Sequence, residues 1–429
     1  MKKTIFIFSL SLIVASAFVS AGEKEEACTV IKGTHIVPVV GEDIPDGTIV
    51  IKGKTIEAVG KDIPVPAGAR IVDGSGLRSY PGMIDSYSFL GLSEISSIAA
   101  TVDYRETGRI NPQVRAAEAL RPDSMHIPIT RSNGITAAVV VPTGGLIAGQ
   151  SGLIRLTGWT PEEMVIKSPL AMHIEFPTLA RAGLRGRQAP REDASQRVIE
   201  LKDWLNKARF YQKRKEAAAG NLRFRLPDFD EKLEFLLPVV NGELPLMIAV
   251  YADKDIRAAI KFVQEEKIRA IFFGVTQGWK VAEEIAKAGI PVVFGSLYDM
   301  PPGWEDGYDA LYRNPSVLKH AGVKIAFSSQ SASLAKELPY HAAKAAAFGL
   351  DRREALKAVT INPAEIFGVD AIMGSLEKGK LANIVLADGD LLELRTGIHK
   401  VFIDGEEINL SSRYTELLEK FKPRSGAKK

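Results

Sequence analysis

The chain is constrained most by a regular alternation, from Pro81 onward, of short apolar segments with longer helical or irregular segments. The apolar segments are hydrophobic throughout, which is typical of strands that are buried on both faces of a parallel sheet. Eight such strands interleaved with helices predict an α/β fold with a TIM-type (β/α)8 barrel over residues 81–369. The predicted strands are residues 82–85, 136–141, 152–156, 171–176, 246–250, 270–273, 291–294 and 324–327.

Further β-structure is predicted on both sides of the barrel. Residues 28–80 are rich in β-branched side chains, and residues 48–60 within them form a predicted hairpin with a glycine-containing turn. Residues 370–411 contain a predicted strand at 382–389 and a predicted hairpin at 400–408 whose turn is Asp-Gly.

A long insertion at about residues 177–236 separates the fourth and fifth predicted strands. It is rich in charge and alanine, apolar residues recur at helical spacing through 197–205, and residues 213–215 are Lys-Arg-Lys. Charge runs of this kind usually solvate one face of a helix. The alternative interpretation is a cap or a partner-binding arm over the barrel mouth. Residues 412–429 form a basic C-terminal tail.

The N-terminal residues 1–21 have the three parts of a secretory signal peptide. Lys2 and Lys3 are the basic part, residues 4–18 are the apolar part, and small side chains precede Gly22. This pattern predicts an exported protein, periplasmic or extracellular. The apolar run is shorter than the roughly 20 residues that span a bilayer, so no stable membrane span is expected. An uncleaved anchor is the alternative.

Charge and cysteine content exclude several classes of site. The formal net charge is only +3, which gives no reason to expect a nucleic acid partner. Cys28 is the only cysteine, which excludes an intramolecular disulfide and a zinc site built from cysteines.

Three separated motifs, at residues 53–60, 81–85 and 360–364 with 374–383, resemble those of the amidohydrolase superfamily, most closely its imidazolonepropionase-like branch. Residues 53–60 resemble the first hairpin of that family, and Pro-Gly-Met-Ile-Asp at 81–85 resembles its entry into the first barrel strand. Thr-Ile-Asn-Pro-Ala at 360–364, followed by residues 374–383, resembles its closing motif. The resemblance extends over residues 28–410. It implies a TIM-type barrel with a small composite β-sandwich formed from residues 28–80 and 370–411.

The same resemblance draws attention to the family's metal ligands. Relatives hold a divalent metal with imidazoles and a carboxylate at the strand ends, beginning with Asp-x-His-x-His on the first strand. Here the corresponding residues are Asp85-Ser86-Tyr87-Ser88-Phe89, so both histidine positions are aromatic. The fifth and sixth strand ends carry Tyr251 and Phe273 instead of histidine, and Gln330 is the expected occupant of the aspartate position on the eighth.

These replacements predict that the family's divalent metal is absent and that no other cofactor takes its place. An amide has no useful basicity, and aromatic rings make an apolar, stackable pocket floor. The predicted substrate pocket consists of Tyr87, Phe89, Tyr251, Phe273 and Gln330.

Two functional hypotheses follow. In the first, the protein is a metal-free pseudoenzyme that binds a small molecule or serves as a subunit, partnered by another copy of itself (a homo-oligomer) or by an active amidohydrolase relative. In the second, it hydrolyses non-peptide carbon–nitrogen bonds, in cyclic amides or related substrates, through an altered site. The candidate acid–base groups for that second reaction are Glu94, Glu106, His173 and His341.

The signal peptide predicts a mature chain that begins at Gly22. N-terminal sequencing of exported protein should return Gly22, because signal peptidase cleaves after the small residues that precede it. The variant Leu12→Arg, which places a charge in the apolar part, should stay uncleaved inside the cell. Exported wild-type protein that still begins at Met1 would contradict the prediction.

Overall fold

The computed structural model describes residues 27–178, 194–220, 225–303 and 305–426. The predicted signal peptide lies outside these residues, as does part of the predicted insertion. The described strands are β1 (Cys28–Ile36), β2 (Ile44–Lys52), β3 (Thr55–Gly60), β4 (Arg70–Asp73), β5 (Arg78–Pro81), β6 (Met83–Ser88), β7 (Ile135–Val140), β8 (Ile147–Gln150), β9 (Gly152–Arg155), β10 (Val165–Lys167), β11 (Met172–Glu175), β12 (Leu246–Val250), β13 (Ala270–Gly274), β14 (Val292–Phe294), β15 (Ile325–Phe327), β16 (Ile384–Ala387), β17 (Ile398–Ile403) and β18 (Glu406–Glu407).

Helices alternate with the central strands. The described α-helices are α1 (His126–Arg131), α2 (Pro161–Met164), α3 (Ala194–Gly220), α4 (Glu231–Val240), α5 (Asp253–Glu266), α6 (Ala282–Ala288), α7 (Ala310–His320), α8 (Leu338–Ala347), α9 (Arg352–Lys357), α10 (Ile361–Ile366) and α11 (Arg413–Gly426).

Both flanking β-segments belong to one mixed sheet, in the order β18-β17-β16-β5-β1-β2-β3 with β4 beside β1. The two ends of the chain meet where β16 pairs antiparallel with β5. The strands are therefore linked in one hydrogen-bonded sheet, and buried side chains of β1, β2, β3, β16 and β17 belong to one apolar cluster. Strand β1 contains Gly33 (φ +75°) and pairs with β4 before this residue and with β5 after it.

The two predicted hairpins are present. Strands β2 and β3 pair antiparallel around Gly53, and β17 and β18 pair around Asp404-Gly405. Asp404 and Gly405 have φ angles of +49° and +79°, and two successive left-handed residues are what a tight type I′ turn requires.

The central strands form two mixed sheets, ordered β10-β9-β7-β6 and β15-β14-β13-β12-β11-β8. Each of the eight predicted barrel segments contains a strand, and seven of them run parallel to at least one neighbour. The prediction was wrong about the third: β9 is antiparallel to β7, and β8 just before it is antiparallel to β11. Only residues 141–146 connect β7 to β8, which is too short for the crossover that a parallel neighbour needs.

The two central sheets meet at two margins. Residues 147–155 lie between β7 and β11 and pair with both. At the other margin, the backbone N–H of Gln330 donates to the carbonyl of Tyr87 at 3.0 Å, and that of Phe89 donates to Ser331 at 3.3 Å. The carboxyl ends of β6, β12 and β13 and the segment after β15 therefore lie close together.

The predicted helical insertion contains α3, a helix of 27 residues that packs against α4. Its buried face carries Leu201, Leu205 and Ala208, spaced at four and three residues. Arg209 Nη1 also lies 2.7 Å from Glu266 Oε2 on α5. The helix therefore contacts both α4 and α5. Within the described part of the chain, no helix combines the length and apolarity needed to cross a bilayer.

The packing of α3 can be tested with a buried and an exposed residue of the same helix. Leu205 is 3% exposed, and Leu205→Ala should lower the free energy of unfolding by about 2–4 kcal/mol because it leaves a cavity. Ile199 is 54% exposed, and Ile199→Ala should change it by less than about 0.5 kcal/mol. Urea denaturation, with hydrogen exchange of residues 194–220, measures both. Equal effects would mean that α3 is not packed.

Candidate functional site

A cavity of about 490 Å³ opens at the carboxyl ends of the central strands. Its walls come from β6, β11, β12 and β13, from the loops after β6 and β7, and from the segment after β15. All five residues of the predicted pocket line it, together with several that the sequence did not single out. The lining residues are Tyr87, Phe89, Tyr104, Arg105, Pro142, Thr143, Gly144, Ala148, His173, Ile174, Glu175, Met247, Ala249, Tyr251, Phe273 and Gln330.

The floor of the cavity is a block of aromatic rings. Tyr87 stacks on Phe273 with their ring centroids 3.8 Å apart and the planes at 10°. Phe89 stacks on Tyr104 at 4.1 Å and 18°. The edge contact between Tyr87 and Phe89, at 5.9 Å, joins the two pairs. Contacts of this kind stabilise beyond the buried area alone, so the four rings form one contiguous aromatic cluster.

His173 on β11 is the imidazole at this cavity. It is 4% exposed and meets the edge of the Tyr87 ring at 5.8 Å. Burial lowers the pKa of His173 to about 3, so the ring is neutral at physiological pH. Its Nε2 atom has no hydrogen-bond partner among the described residues. A buried polar atom left in this state favours a ligand group that can hydrogen-bond to it.

Two charged side chains and a phenol line the walls. The Arg105 guanidinium lies 5.4 Å from the centroid of the Tyr104 ring, and Glu175 follows His173 on the same strand. Burial, and then the charge of Glu175, raise the pKa of Tyr251 to about 12, so this hydroxyl keeps its proton. Its ring lies against Gly274 (φ +91°), where a Cβ atom would come within 2.5 Å of it. Only glycine fits there.

Gln330 is the expected occupant of the family's aspartate position, and its backbone conformation is unusual. It has a φ of +52°, which is rare for a residue other than glycine. The hydrogen bond from its N–H to Tyr87 fixes this geometry. The side-chain oxygen lies over Gly295, 2.7 Å from where a Cβ would be.

Asp85 is buried on β6 and is not among the residues that line the cavity. Its Oδ1 accepts from the backbone N–H of Ser329 at 2.9 Å, and its Oδ2 accepts from the Ser329 hydroxyl at 2.5 Å. Complete burial raises the pKa of Asp85 to about 6, although these hydrogen bonds oppose the shift. The carboxylate ties β6 to the segment that follows β15.

The structure does not bring the four candidate acid–base groups together. His173 lines the cavity, whereas Glu94, Glu106 and His341 do not. The carbonyl of Glu94 faces His126 Nε2 at 3.0 Å, and Glu106 is exposed and accepts from Thr107. His341 is buried on α8, where its Nδ1 accepts from the backbone N–H of Leu297 at 3.2 Å. Burial lowers the pKa of His341 to about 4.

Sequence reasoning missed Tyr104, Arg105 and Glu175 as cavity residues. A signal existed for Glu175, because residues two apart on a strand point to the same face and His173 was already a candidate. Tyr104 and Arg105 lie in a loop, where no periodicity of the sequence predicts which way a side chain points. Their polar, glycine-containing surroundings were visible in the sequence, but their position over the cavity was not.

The donor set at the cavity does not fit a catalytic divalent metal. Such sites use three or four convergent ligands, and among the described residues no group of three histidine, cysteine, aspartate or glutamate side chains lies close enough to hold an ion. The cavity offers one imidazole and one carboxylate beside its rings.

Comparison with known proteins gives a consistent family resemblance. A sequence model of the Amidohydrolase family matches residues 312–411. Amidohydrolase tasK of Hapsidospora irregularis is 24% identical over 84% of this chain and 39% of its own length. An adenine deaminase of Desulforamulus reducens is 24% identical over 94% of this chain and 60% of its own length. The chain thus spans about 40–60% of these two relatives.

Solved structures extend the likeness to the fold. An amidohydrolase from Thermotoga maritima MSB8 superposes with a TM-score of 0.81 at 26% identity and covers 89% of this chain and 99% of its own. A molinate hydrolase superposes with a TM-score of 0.55 at 17% identity, over 90% of this chain and 95% of its own.

The raised pKa of Asp85 predicts a pH-dependent stability. The folded state binds the Asp85 proton more tightly than the unfolded chain does. The stabilisation that this proton adds to the free energy of unfolding is therefore complete below pH 3.8 and is lost as pH rises through about 6. The shift corresponds to about 3 kcal/mol. Asp85→Asn should remove it, so the difference in unfolding free energy between wild type and variant should change by about that amount between pH 3.8 and pH 7.

The matched control is Asp123→Asn, which makes the same chemical change on a side chain that is 81% exposed. Urea denaturation at a series of pH values measures all three proteins. If Asp85→Asn and Asp123→Asn follow the same curve, the carboxyl of Asp85 is not desolvated as described.

Proposed function

We propose that this chain, which belongs to the amidohydrolase superfamily, binds a small molecule in its aromatic cavity without a divalent metal. The observation that carries the proposal is the stack of Tyr87 on Phe273 at 3.8 Å. By resemblance, these residues stand at the first and sixth strand ends, where relatives place imidazole ligands. Two rings in van der Waals contact leave no space between them for an ion.

The aromatic block has the properties of a binding surface. A cavity of this size, with apolar walls and a few polar groups, is of the kind that takes small molecules. His173 Nε2, Glu175, Arg105 and the Tyr251 hydroxyl supply the polar groups that would orient a ligand. The stacked rings favour a flat ligand that can lie against them. The related adenine deaminase is named for such a flat heterocycle.

We also propose that the two central sheets close as an eight-stranded TIM-type barrel. In this barrel, β8 and β9 together occupy one strand position and run antiparallel to their neighbours. Residues 147–155 bridge one margin, and the bond from Gln330 to Tyr87 bridges the other. Export through the signal peptide at residues 1–21 and a role as a subunit of a homo-oligomer or of an active relative are further parts of the proposal.

The alternative is a hydrolase of non-peptide carbon–nitrogen bonds that uses His173 as its base. The free Nε2 of His173 at the cavity favours it. Against it stands the pKa of about 3, which makes this imidazole a weak base far from the operating pH of a general acid–base catalyst. The other three candidate groups lie away from the cavity.

Two measurements on the purified chain test the proposal. Elemental analysis after dialysis should find far less than one zinc, iron or manganese per chain. Calorimetric titration with the flat probes indole and adenine should detect binding, and Phe273→Leu should weaken it because the stacking face is lost. Stoichiometric metal that survives dialysis, or ammonia released from adenine at a catalytic rate, would favour the hydrolase.

The double variant Tyr87→His with Phe89→His restores the family's histidine pattern at the end of β6. We expect it to lose a few kcal/mol of stability, because both rings belong to the aromatic block and that of Tyr87 is buried. We also expect no hydrolase activity with added zinc, since two ligands do not complete a catalytic zinc site. Thermal melting and an activity assay with adenine measure the two effects.

The matched control is Phe229→His with Tyr308→His, at side chains that are 76% and 74% exposed. It should melt like wild type. A Tyr87–Phe89 variant that also melted like wild type and gained activity with zinc would mean that the remaining ligand shell is intact and that the protein is a disabled enzyme.

A further inference from the structure

Helix α11 carries an apolar face at the surface of the protein, and none of its residues lines the aromatic cavity. Tyr414, Leu418 and Phe421 on this helix are 53%, 61% and 45% exposed. We infer that this face binds the surface of an anionic phospholipid bilayer. The inference goes beyond the proposed function, because ligand binding in the cavity does not depend on it.

The apolar side chains of α11 fall on one stripe. An α-helix turns about 100° per residue, so Tyr414, Leu418 and Phe421 lie within about 60° of one another around the axis. Leu417, which is half-buried, lies at one edge of the same stripe. The first turn stays beside the body of the protein, where Lys336 Nζ lies 6.0 Å from the centroid of the Tyr414 ring. This spacing on an exposed helix is that of an amphipathic helix.

The charges of α11 are distributed around this stripe in a definite order. Lys422 lies about 40° beyond one edge, and Arg413 and Lys420 lie about 40–60° beyond the other. Glu416 and Glu419 lie on the opposite side of the helix, each about 100° from the nearest edge. Bases therefore border the apolar stripe on both sides, and the acids are farthest from it.

Side-chain contacts agree with these positions. The Lys420 Nζ lies 5.5 Å from the centroid of the Phe421 ring, at the border of the stripe. The Lys422 Nζ lies 3.5 Å from a Glu419 carboxylate oxygen, and both of these side chains are more than half exposed. Exposed pairs of this kind contribute little to stability. A lipid phosphate can therefore replace the carboxylate as the partner of the base.

This order of apolar, basic and acidic side chains fits the interface of a bilayer. Bulky apolar residues enter the boundary between headgroups and acyl chains, while bases at the border of the face reach the phosphate groups. Each base near an anionic surface strengthens binding about fivefold. Residues 412–429 contain six lysines and arginines against two glutamates. Charge therefore favours an anionic bilayer over a neutral one.

A second copy of the chain fits the face less well. A stable protein interface buries about 800 Å² on each partner, whereas three half-exposed side chains on one helix offer a few hundred Å² at most. The bases at both borders of the face would also meet those of the second copy. Like charges brought together in this way oppose self-association.

Vesicle co-sedimentation tests the inference with the chain from Gly22 onward, which keeps every described residue. Residues 4–18 are left out because an apolar segment would itself bind lipid. We expect binding to vesicles of equal parts phosphatidylglycerol and phosphatidylcholine to be about tenfold or more stronger than binding to phosphatidylcholine alone. Added salt should weaken this binding, because it screens the attraction. Hydrogen exchange of residues 413–426 should slow on the anionic vesicles.

Two double variants locate the binding face. Leu418→Ser with Phe421→Ser should weaken binding to the anionic vesicles about tenfold or more, because apolar area that enters the bilayer is lost. Lys420→Gln with Lys422→Gln should weaken it by a similar factor, because two bases are lost. Both should melt like wild type, since all four side chains are exposed.

The matched controls make the same changes elsewhere on the surface. Leu226→Ser with Phe229→Ser alters the same residue types at the same spacing, at side chains that are 61% and 76% exposed. Arg225→Gln with Lys261→Gln removes the same charge, at side chains that are 87% and 77% exposed. Both controls should bind the anionic vesicles like wild type.

Each contrary result overturns the inference in a different way. Equal binding to both kinds of vesicle would mean that charge does not select the surface, and equal losses in the controls would place the contact outside α11. If neither vesicle binds, the face is not a lipid site. If, in addition, Leu418→Ser with Phe421→Ser dissociates a wild-type dimer in analytical ultracentrifugation, its occupant is a second copy. None of these results changes the expected binding of indole or adenine in the cavity, so the proposed function is tested separately.

Discussion

The hydrogen bonds between residues 85–89 and 329–331 are the interaction on which the cavity depends. They join β6, the first strand of one central sheet, to the segment after β15, the last strand of the other. Without these hydrogen bonds, the positions of Tyr87 and Gln330 relative to each other would not be fixed. The buried carboxylate of Asp85 contributes two of these bonds and is itself destabilised by burial when charged. The edge at which the two sheets meet is therefore held by the Asp85 carboxyl, whose contribution to stability changes with its protonation state.

Asp85 and His173 respond to pH in opposite directions within the same range. Burial raises the pKa of Asp85 to about 6 and lowers that of His173 to about 3. As pH falls from 7 to 4, Asp85 therefore stabilises the fold increasingly, while the cost of keeping His173 neutral grows. The two contributions offset one another in the global stability. They act at different places, however: Asp85 acts on the sheet margin and His173 on the cavity wall.

Much of the architecture was predictable from the residues, and the failures have identifiable causes. The eight apolar segments located the central strands because a strand buried on both faces has a continuous hydrophobic sequence. That same continuity carries no information on direction, so the antiparallel course of β9 could be inferred only from the short link at residues 141–146. The five residues that the family motifs singled out line one cavity, whereas Arg105 lies in a loop whose path no periodicity defines. His341 was a candidate acid–base group, but its place on α8 directs its ring to the backbone N–H of Leu297, and it is not among the residues that line the cavity.

Strand β6 shows how residues that hold the scaffold and residues that line the cavity can lie within one short motif. Asp85 makes bonds to the backbone and hydroxyl of Ser329 and is fully buried, so its role in this chain is structural. Tyr87 and Phe89, two and four residues later, face the cavity, where their replacement does not break those bonds. In a barrel, the strand ends carry the chemistry and the strand interiors carry the stability. A sequence can therefore keep the residues that give it a family's motifs while the residues that line the cavity differ from the family's pattern.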